Sequence, residues 1–154
     1  MKQRFTKRTR LVSALLTLAM VFTFLPFSAL AATEDKGTED KGIEIKDTNN
    51  FPDKRFAADI YRHDADKDGF LSKKELDNVT DMNLGPDTWG YGKNIESLKG
   101  IEHFQKLEIL VCSYNKITEL DTSSNSALKN LGCYHNQLTQ LNVSGNNALT
   151  SLSC

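Results

Sequence analysis

The last third of the chain repeats one pattern of apolar and polar positions every 21 residues. Residues 107–127 and 128–148 agree at nine of 21 positions, and Leu149 opens a third copy. Average residue usage predicts about one or two such matches by chance, so the similarity is a true internal repeat. Apolar residues stand at offsets 0, 3 and 5 of each copy, and the last two alternate as in a short strand that faces one side.

One such unit cannot bury its own apolar face, whereas stacked units cover one another. The pattern therefore predicts a solenoid of short parallel strands spaced about 4.8 Å apart. Asn115 and Asn136 recur where the strand turns away, and an amide there can bond backbone groups that no strand ladder satisfies. We interpret both as structural residues. Residues 79–84 repeat the same apolar offsets and are predicted to form the first strand.

The strand positions that alternate with the core are the candidates for binding a ligand. In two successive coils they are Ile109, Val111, Ser113 and Tyr114, followed by Asn130, Gly132, Tyr134 and His135. Two tyrosines and a histidine at neighbouring positions suit recognition of an extracellular protein or a glycan. Scattered exposed aromatic residues that bind nothing are the alternative. Residues 85–94 interrupt the first repeat, and this loop, with Trp89 and Tyr91, either completes the N-terminal cap or contributes to binding.

The most specific chemical motif precedes the repeats, at residues 64–75. Its sequence matches a 12-residue EF-hand loop that binds Ca²⁺, and such a combination is expected by chance about once in ten thousand chains of this length, or less often. The predicted ligands are the carboxylates of three aspartates, a backbone carbonyl, a hydroxyl acting directly or through water, and a glutamate that supplies two oxygens. In chain order these are Asp64, Asp66, Asp68, Phe70, Ser72 and Glu75.

Two short helices are predicted to flank this loop. Pro52 suits the first turn of the entry helix, in which Phe56 and Ile60 form an apolar stripe, and the exit helix is expected at about residues 72–78. A metal-free acidic turn is the alternative, although four carboxylates this close repel one another unless a cation offsets them. An extracellular site of this kind binds with a dissociation constant of about 0.1 to 1 mM, which favours a structural ion over a sensor.

The N-terminus predicts secretion. Residues 1–31 contain a basic start, an apolar run and small residues at a plausible cleavage site, which together are typical of a signal peptide; an uncleaved membrane anchor is the alternative. The whole chain has 19 basic and 20 acidic residues. Cleavage removes five basic residues and leaves 14 against 20, a formal net charge of −6 that disfavours nucleic acid as a partner. The product is expected outside the cell or on its surface, with no membrane segment.

Taken together, residues 43–154 resemble the secreted leucine-rich repeat proteins of Gram-positive bacteria. The resemblance rests on the loop at residues 64–75 and on the L-x-x-L-x-C-x-x-N coils. In that family a small helical cap, often with an EF-hand-like loop, precedes internalin-like repeats. It implies an α/β repeat solenoid and an adhesion or interaction protein of the cell surface. The chain then divides into a signal peptide (1–31), a disordered acidic linker (32–42), an EF-hand-like cap (43–78) and leucine-rich repeats (79–154).

Three cysteines occupy one repeat position: Cys112, Cys133 and Cys154. Because side chains in parallel, in-register strands point the same way, buried free thiols are favoured over a disulfide. No nucleophile elbow, zinc signature or phosphate loop is present, so we do not expect an enzyme. A dockerin-like calcium-dependent assembly module and a non-binding structural spacer are the alternative functions. The last coil ends without a capping unit, which predicts that the repeats continue in a longer protein.

Overall fold

The structure is a computed structural model that describes residues 41–86 and 92–154. The predicted signal peptide, most of the predicted linker, and Trp89 and Tyr91 of the interrupting loop lie outside the described residues. Among the residues that are described, no helix is long and apolar enough to cross a membrane.

Two short strands and two short helices form the N-terminal part. They are β1 (Ile43–Glu44), α1 (Lys54–Ile60), β2 (Phe70–Leu71) and α2 (Lys73–Asn78). Strand β1 pairs antiparallel with β2. Helix α1 begins after Asp53, whose carboxylate accepts hydrogen bonds from the N–H groups of Arg55 and Phe56. The prediction that Pro52 lies in the first turn is therefore wrong: Asp53 is the capping residue, so the helix starts at Lys54, two residues after Pro52.

Gly42, the last residue of the predicted linker, lies against β2. Gly42 has a positive φ of 87°, and a Cβ built on it would lie 2.0 Å from the carbonyl oxygen of Leu71. Only glycine combines this backbone conformation with so close an approach. The backbone at residue 42 is therefore in direct contact with β2.

Six further strands and a short 3-10 helix follow. They are β3 (Asp81–Asn83), the 3-10 helix (Ile101–His103), β4 (Ile109–Val111), β5 (Glu119–Asp121), β6 (Asn130–Gly132), β7 (Gln140–Asn142) and β8 (Ser151–Ser153). Strands β3, β4, β6 and β8 form one parallel sheet in that order, and β5 pairs with β7 in a second parallel sheet. Each regular coil thus contributes one strand to each sheet. The sequence pattern predicted the first sheet only.

The strand registers match the 21-residue repeat. Leu110, Leu131 and Leu152 are in register on neighbouring strands, as the repeat requires. Met82 pairs with Leu110 at a separation of 28 residues, because the interrupting loop adds seven. The first strand is therefore placed as predicted.

A single hydrophobic cluster joins the N-terminal helices to the coils. It includes Phe56 and Ile60 on α1, Leu71 on β2, and the inward positions of the coils as far as Cys133. Phe51 contacts Phe56 edge to face at 5.9 Å. The apolar stripe predicted on the entry helix is confirmed by its complete burial. The helical segment shares its core with the first coils and supports them directly.

Side-chain amides bind the coils to one another at two positions of the repeat. Asn136 accepts from the N–H of Ile117 at 3.1 Å and donates to the carbonyls of Cys112 and Cys133, both at 2.9 Å. Asn115 makes the equivalent bonds one coil earlier, among them to Ile95 N–H at 3.0 Å. The structural role predicted for both is confirmed. These amides satisfy backbone groups where the chain leaves the strand.

A second amide column runs near the other sheet. Asn146 donates to the carbonyls of Thr122 and Asn125 at 2.7 and 2.8 Å. Asn125 donates to the carbonyls of Ile101 and Phe104, both at 2.9 Å. The sequence signalled this role through the identity of Asn125 and Asn146 in the aligned repeats, although no bonding role was predicted for them.

Candidate functional site

The acidic loop brings three of its predicted ligands together. One oxygen from each of Asp64, Asp66 and Asp68 lies within 4.8 Å of the other two. The loop backbone holds these carboxylates in place: the N–H of Gly69 donates to Asp64 at 2.9 Å and that of Phe70 to Asp68 at 2.8 Å. Gly69 adopts a positive φ of 88°, which permits the sharp turn at this point. The arrangement is that of oxygen ligands converging on a small volume.

Asp64 carries an unusual feature for a buried carboxylate. Its side chain is 6% exposed, and its Oδ1 has no hydrogen-bond partner among the described residues. A buried carboxylate oxygen without a partner is costly unless a proton or a cation accompanies it. The N–H of Asp68 lowers the pKa of Asp66, but loss of hydration and the surrounding carboxylates outweigh it and raise that pKa above its ordinary value. The loop therefore concentrates negative charge that a cation would neutralise.

Glu75 is placed differently from the other acidic side chains. It accepts from the N–H of Ala65 at 2.7 Å and from both the N–H and the hydroxyl of Ser72, at 2.9 and 2.7 Å. The hydrogen bond from the Ser72 hydroxyl is the main reason that the pKa of Glu75 lies below its ordinary value. Ser72 and Glu75 thus form a capping box at the start of α2. Both predicted ligands are engaged with protein groups, and metal binding would require them to exchange these bonds.

The strand positions predicted to face outward are half-buried or exposed, with one exception. Ile109, Val111 and Gly132 are half-buried on the outer side of their strands, and Asn130 is exposed. Ser113 is fully buried, so the prediction that it lies on the exposed face is wrong. The reason is that β4 ends at Val111, so the alternation of a strand no longer holds two residues later.

Three aromatic side chains form an exposed cluster beside this face. Tyr114 stacks on His135 with a centroid distance of 4.3 Å, and Tyr134 packs edge to face against both, at 5.3 Å from Tyr114 and 5.5 Å from His135. Each tyrosine is 40% exposed. We refer to Tyr114, Tyr134 and His135 as the aromatic cluster. It lies across two adjacent coils and presents ring edges and faces to solvent.

The backbone at the aromatic cluster is strained. Tyr114 and His135 occupy equivalent positions in consecutive coils, with φ values of 59° and 53°. This left-handed conformation suits glycine or asparagine and costs a bulky residue roughly 1–2 kcal/mol. Strain of this kind is concentrated at functional sites in proteins. Both coils make the same turn at this position. The turn explains the left-handed backbone conformation, but it does not explain why aromatic residues occupy it.

The repeat cysteines are free thiols in the structure. Cys112 and Cys133 are buried, and Cys154 is exposed. Burial, together with the neighbouring thiol Cys133, raises the pKa of Cys112 to about 12. Burial likewise raises the pKa of Cys133 to about 11, with a smaller contribution from Cys154. The buried thiols therefore remain protonated and act as small apolar core groups.

A polar groove of ≈ 690 Å³ lies along the second sheet and was not predicted from the sequence. Its lining includes Glu119 and Asp121 of β5, Gln140 and Asn142 of β7, and Glu102 of the 3-10 helix. Asn142 donates to Asp121 across the two strands at 3.1 Å. The only sequence signal for this surface is the polar residue on each side of Leu120 and Leu141.

Stacked parallel strands, in-register leucines and amide columns define a leucine-rich repeat solenoid. Comparison with solved structures specifies the type of repeat. The functional domain of InlJ from Listeria monocytogenes, described as including a cysteine ladder, has 30% sequence identity over 73% of this chain and 23% of that chain, with a TM-score of 0.59. An internalin, inlF, from Listeria monocytogenes strain 4b F2365 has 24% identity over 72% of this chain and 32% of its own, with a TM-score of 0.54.

The chain therefore has an internalin-like leucine-rich repeat fold. It spans about a quarter to a third of the length of these two structures. No protein-family model and no curated protein matches the chain.

Proposed function

We propose that this chain is part of an extracellular or cell-surface binding protein whose solenoid presents a ligand-binding face. The observation that carries the proposal is the aromatic cluster. Exposed tyrosines that are held rigidly by one another offer a large contact area at a small cost in conformational entropy. The internalin-like fold supports a binding role rather than catalysis, and the signal-peptide pattern supports secretion.

The proposed ligand is an extracellular protein or a glycan. A cell-adhesion assay tests whether the proposed face binds it. Binding of the purified chain to bacterial and host cells would be measured for the wild type and for Tyr134→Ala. We expect at least a tenfold loss of affinity, because truncation of a central aromatic residue typically costs 2 kcal/mol or more. Glu119→Ala is the control, because Glu119 is exposed on the second sheet and does not line the pocket beside Tyr134 and His135. Equal adhesion of all three proteins would support the structural-spacer alternative instead.

We further propose that residues 43–78 form a cap around a structural Ca²⁺. Asp64, Asp66 and Asp68 would hold the ion, with Glu75, Ser72 and the Phe70 carbonyl as the remaining ligands. The unpaired Oδ1 of Asp64 supports this site, since coordination would satisfy it. When bound, the ion would neutralise the carboxylates and so tie the start of the loop to its end.

Calorimetric titration with Ca²⁺ tests the site. We expect uptake of one ion with a dissociation constant of about 0.1 to 1 mM, and loss of uptake in Asp64→Asn. Absence of heat at millimolar calcium would reject the site.

Strand β1 covers the strand edge of the loop at β2, which disfavours the dockerin-like alternative.

A further inference from the structure

A short segment between the first two coils lies against α1 on one side and against the coil of Tyr114 on the other. We refer to residues 92–97 as the strap. At the N-terminal end of α1, the capping carboxylate of Asp53 uses its second oxygen to accept from the N–H groups of Glu96 and Ser97, at 2.6 and 3.2 Å. The residue that caps the helix therefore also fixes the strap.

The C-terminal end of α1 holds the strap through an ion pair. Lys93 donates to the carboxylate of Asp59, which is 8% exposed and also pairs with Arg62 at 3.0 Å. Lys93 donates in addition to the carbonyl of Asn83, at the end of β3, at 3.1 Å. Because the Asp59 carboxylate is buried, loss of Lys93 removes one of its two cationic partners and leaves only the exposed Arg62 among the described residues. Both ends of α1 are thus hydrogen-bonded to the strap, between residues that lie 34 to 44 positions apart in the sequence.

The other side of the strap supports the aromatic cluster. A Cβ built on Gly92 would lie 1.4 Å from the carbonyl oxygen of Tyr114, so the two backbones are in direct contact. Ile95 donates to the amide of Asn115 at 3.0 Å and accepts from Lys116 at 2.8 Å. The strained turn at Tyr114 is therefore held by the strap along its length.

Helix α1 leads directly into the acidic loop. Its last turn continues through hydrogen bonds from the N–H groups of Arg62 and His63 to the carbonyls of Asp59 and Ile60, at 3.1 and 2.9 Å. Asp64 follows immediately. Helix α1 therefore joins the start of the loop to Asp59, the partner of Lys93.

We propose that the strap couples the acidic loop to the aromatic cluster, with Lys93 and Asp53 as the positioning residues, so that Ca²⁺ binding orders the ligand-binding face. The inference rests on the proposed calcium site and the proposed face. Coupling needs a continuous path of contacts between the two sites, and α1 and the strap together form that path. By reciprocity, a ligand on the aromatic cluster tightens the binding of calcium.

The test follows the ring signals of His135 by NMR during a calcium titration, with Ca²⁺ itself as the probe. His135 stacks on Tyr114, so its ring signals report any change in that stack. In the wild type we expect them to shift with the same midpoint as calcium uptake measured by calorimetry. In Lys93→Met we expect calcium uptake to persist while most of the His135 shift is lost.

Lys129→Met is the matched control, because it removes an exposed lysine that pairs with Glu108 at 2.7 Å, outside the acidic loop, α1 and the strap. It is expected to keep the full shift. Asp53→Asn, which retains a capping oxygen but loses the second acceptor, carries the test if Lys93→Met does not fold. Calcium uptake without a His135 shift in the wild type, or an undiminished shift in Lys93→Met, would overturn the coupling alone. Absence of calcium uptake would overturn both the calcium site and the coupling.

Discussion

Tyr114 and His135 occupy the same position in consecutive coils and stack on each other with both backbones in the left-handed region. The repeat places the two rings one above the other, and the strained turn directs them to solvent. Stability alone would favour asparagine or glycine at both positions. The pair therefore shows where this solenoid departs from the residues that its fold prefers.

This departure predicts that His135→Asn separates binding from stability. Loss of the stack costs about 0.5–1.5 kcal/mol, and relief of the left-handed strain returns a similar amount. We expect the free energy of unfolding to change by less than about 1 kcal/mol while cell adhesion falls. Urea unfolding and adhesion assays on the same protein check this. A large loss of stability would show that the stack is structural.

The amide column predicts that Asn136 is a major stabilising residue. Asn136→Ala leaves the N–H of Ile117 and two carbonyls without their partner, at about 1–3 kcal/mol for each group that stays buried. We expect Asn136→Asp to destabilise more, because a carboxylate would face the carbonyls of Cys112 and Cys133. Asn147→Ala, at an exposed position, is the control. Equal midpoints of urea unfolding for all variants would contradict the prediction.

Calcium removal is expected to lower the melting temperature. At calcium ten times the dissociation constant, binding stabilises the folded chain by about 1.4 kcal/mol, which corresponds to several degrees. Glu75→Gln should show the lower melting temperature in calcium and respond little to a chelator. Asp77→Asn, an acidic position of α2 outside the loop, should respond like the wild type. Scanning calorimetry with and without chelator distinguishes these outcomes.

Acid is expected to weaken the contact between α1 and the strap. Burial raises the pKa of Asp53, but hydrogen bonds from four backbone N–H groups, with Glu96 the strongest, hold it below its ordinary value of 3.8. A lowered folded-state pKa contributes stability that is complete above pH 3.8 and is lost as pH falls through the folded value. Urea unfolding at several pH values should therefore show wild type and Asp53→Asn converging in acid. A constant difference across this range would exclude the linkage.

The cysteines predict a graded reactivity. At about pH 8 the native protein should be alkylated at Cys154 alone, because Cys112 and Cys133 are buried and hold pKa values of about 12 and 11. Unfolding in denaturant should add two further alkyl groups, as counted by mass spectrometry. If protein that is unfolded without a reducing agent gains fewer than two further alkyl groups, a disulfide is present.

Three features could be predicted because each depends on the spacing of residues within a short stretch of sequence: the solenoid, its first strand and the acidic loop. A 21-residue period records which side chains face the neighbouring coil, and this also identified Asn115 and Asn136. The capping function of Glu75 was missed, since the same Ser-x-x-Glu spacing serves a helix start and a metal loop. Ser113 was misplaced because the pattern does not mark where a strand ends.

The sequence by itself determined the repeat, the core positions and the clustering of carboxylates, because these depend on spacing along the chain. The tertiary structure alone decided that β5 and β7 form a second sheet and that the strap lies between α1 and Tyr114. The pairing of Lys93 with Asp59 joins residues 34 positions apart in a stretch without periodicity. Contacts of this kind arise from the path of the folded backbone, which no local pattern of residues specifies.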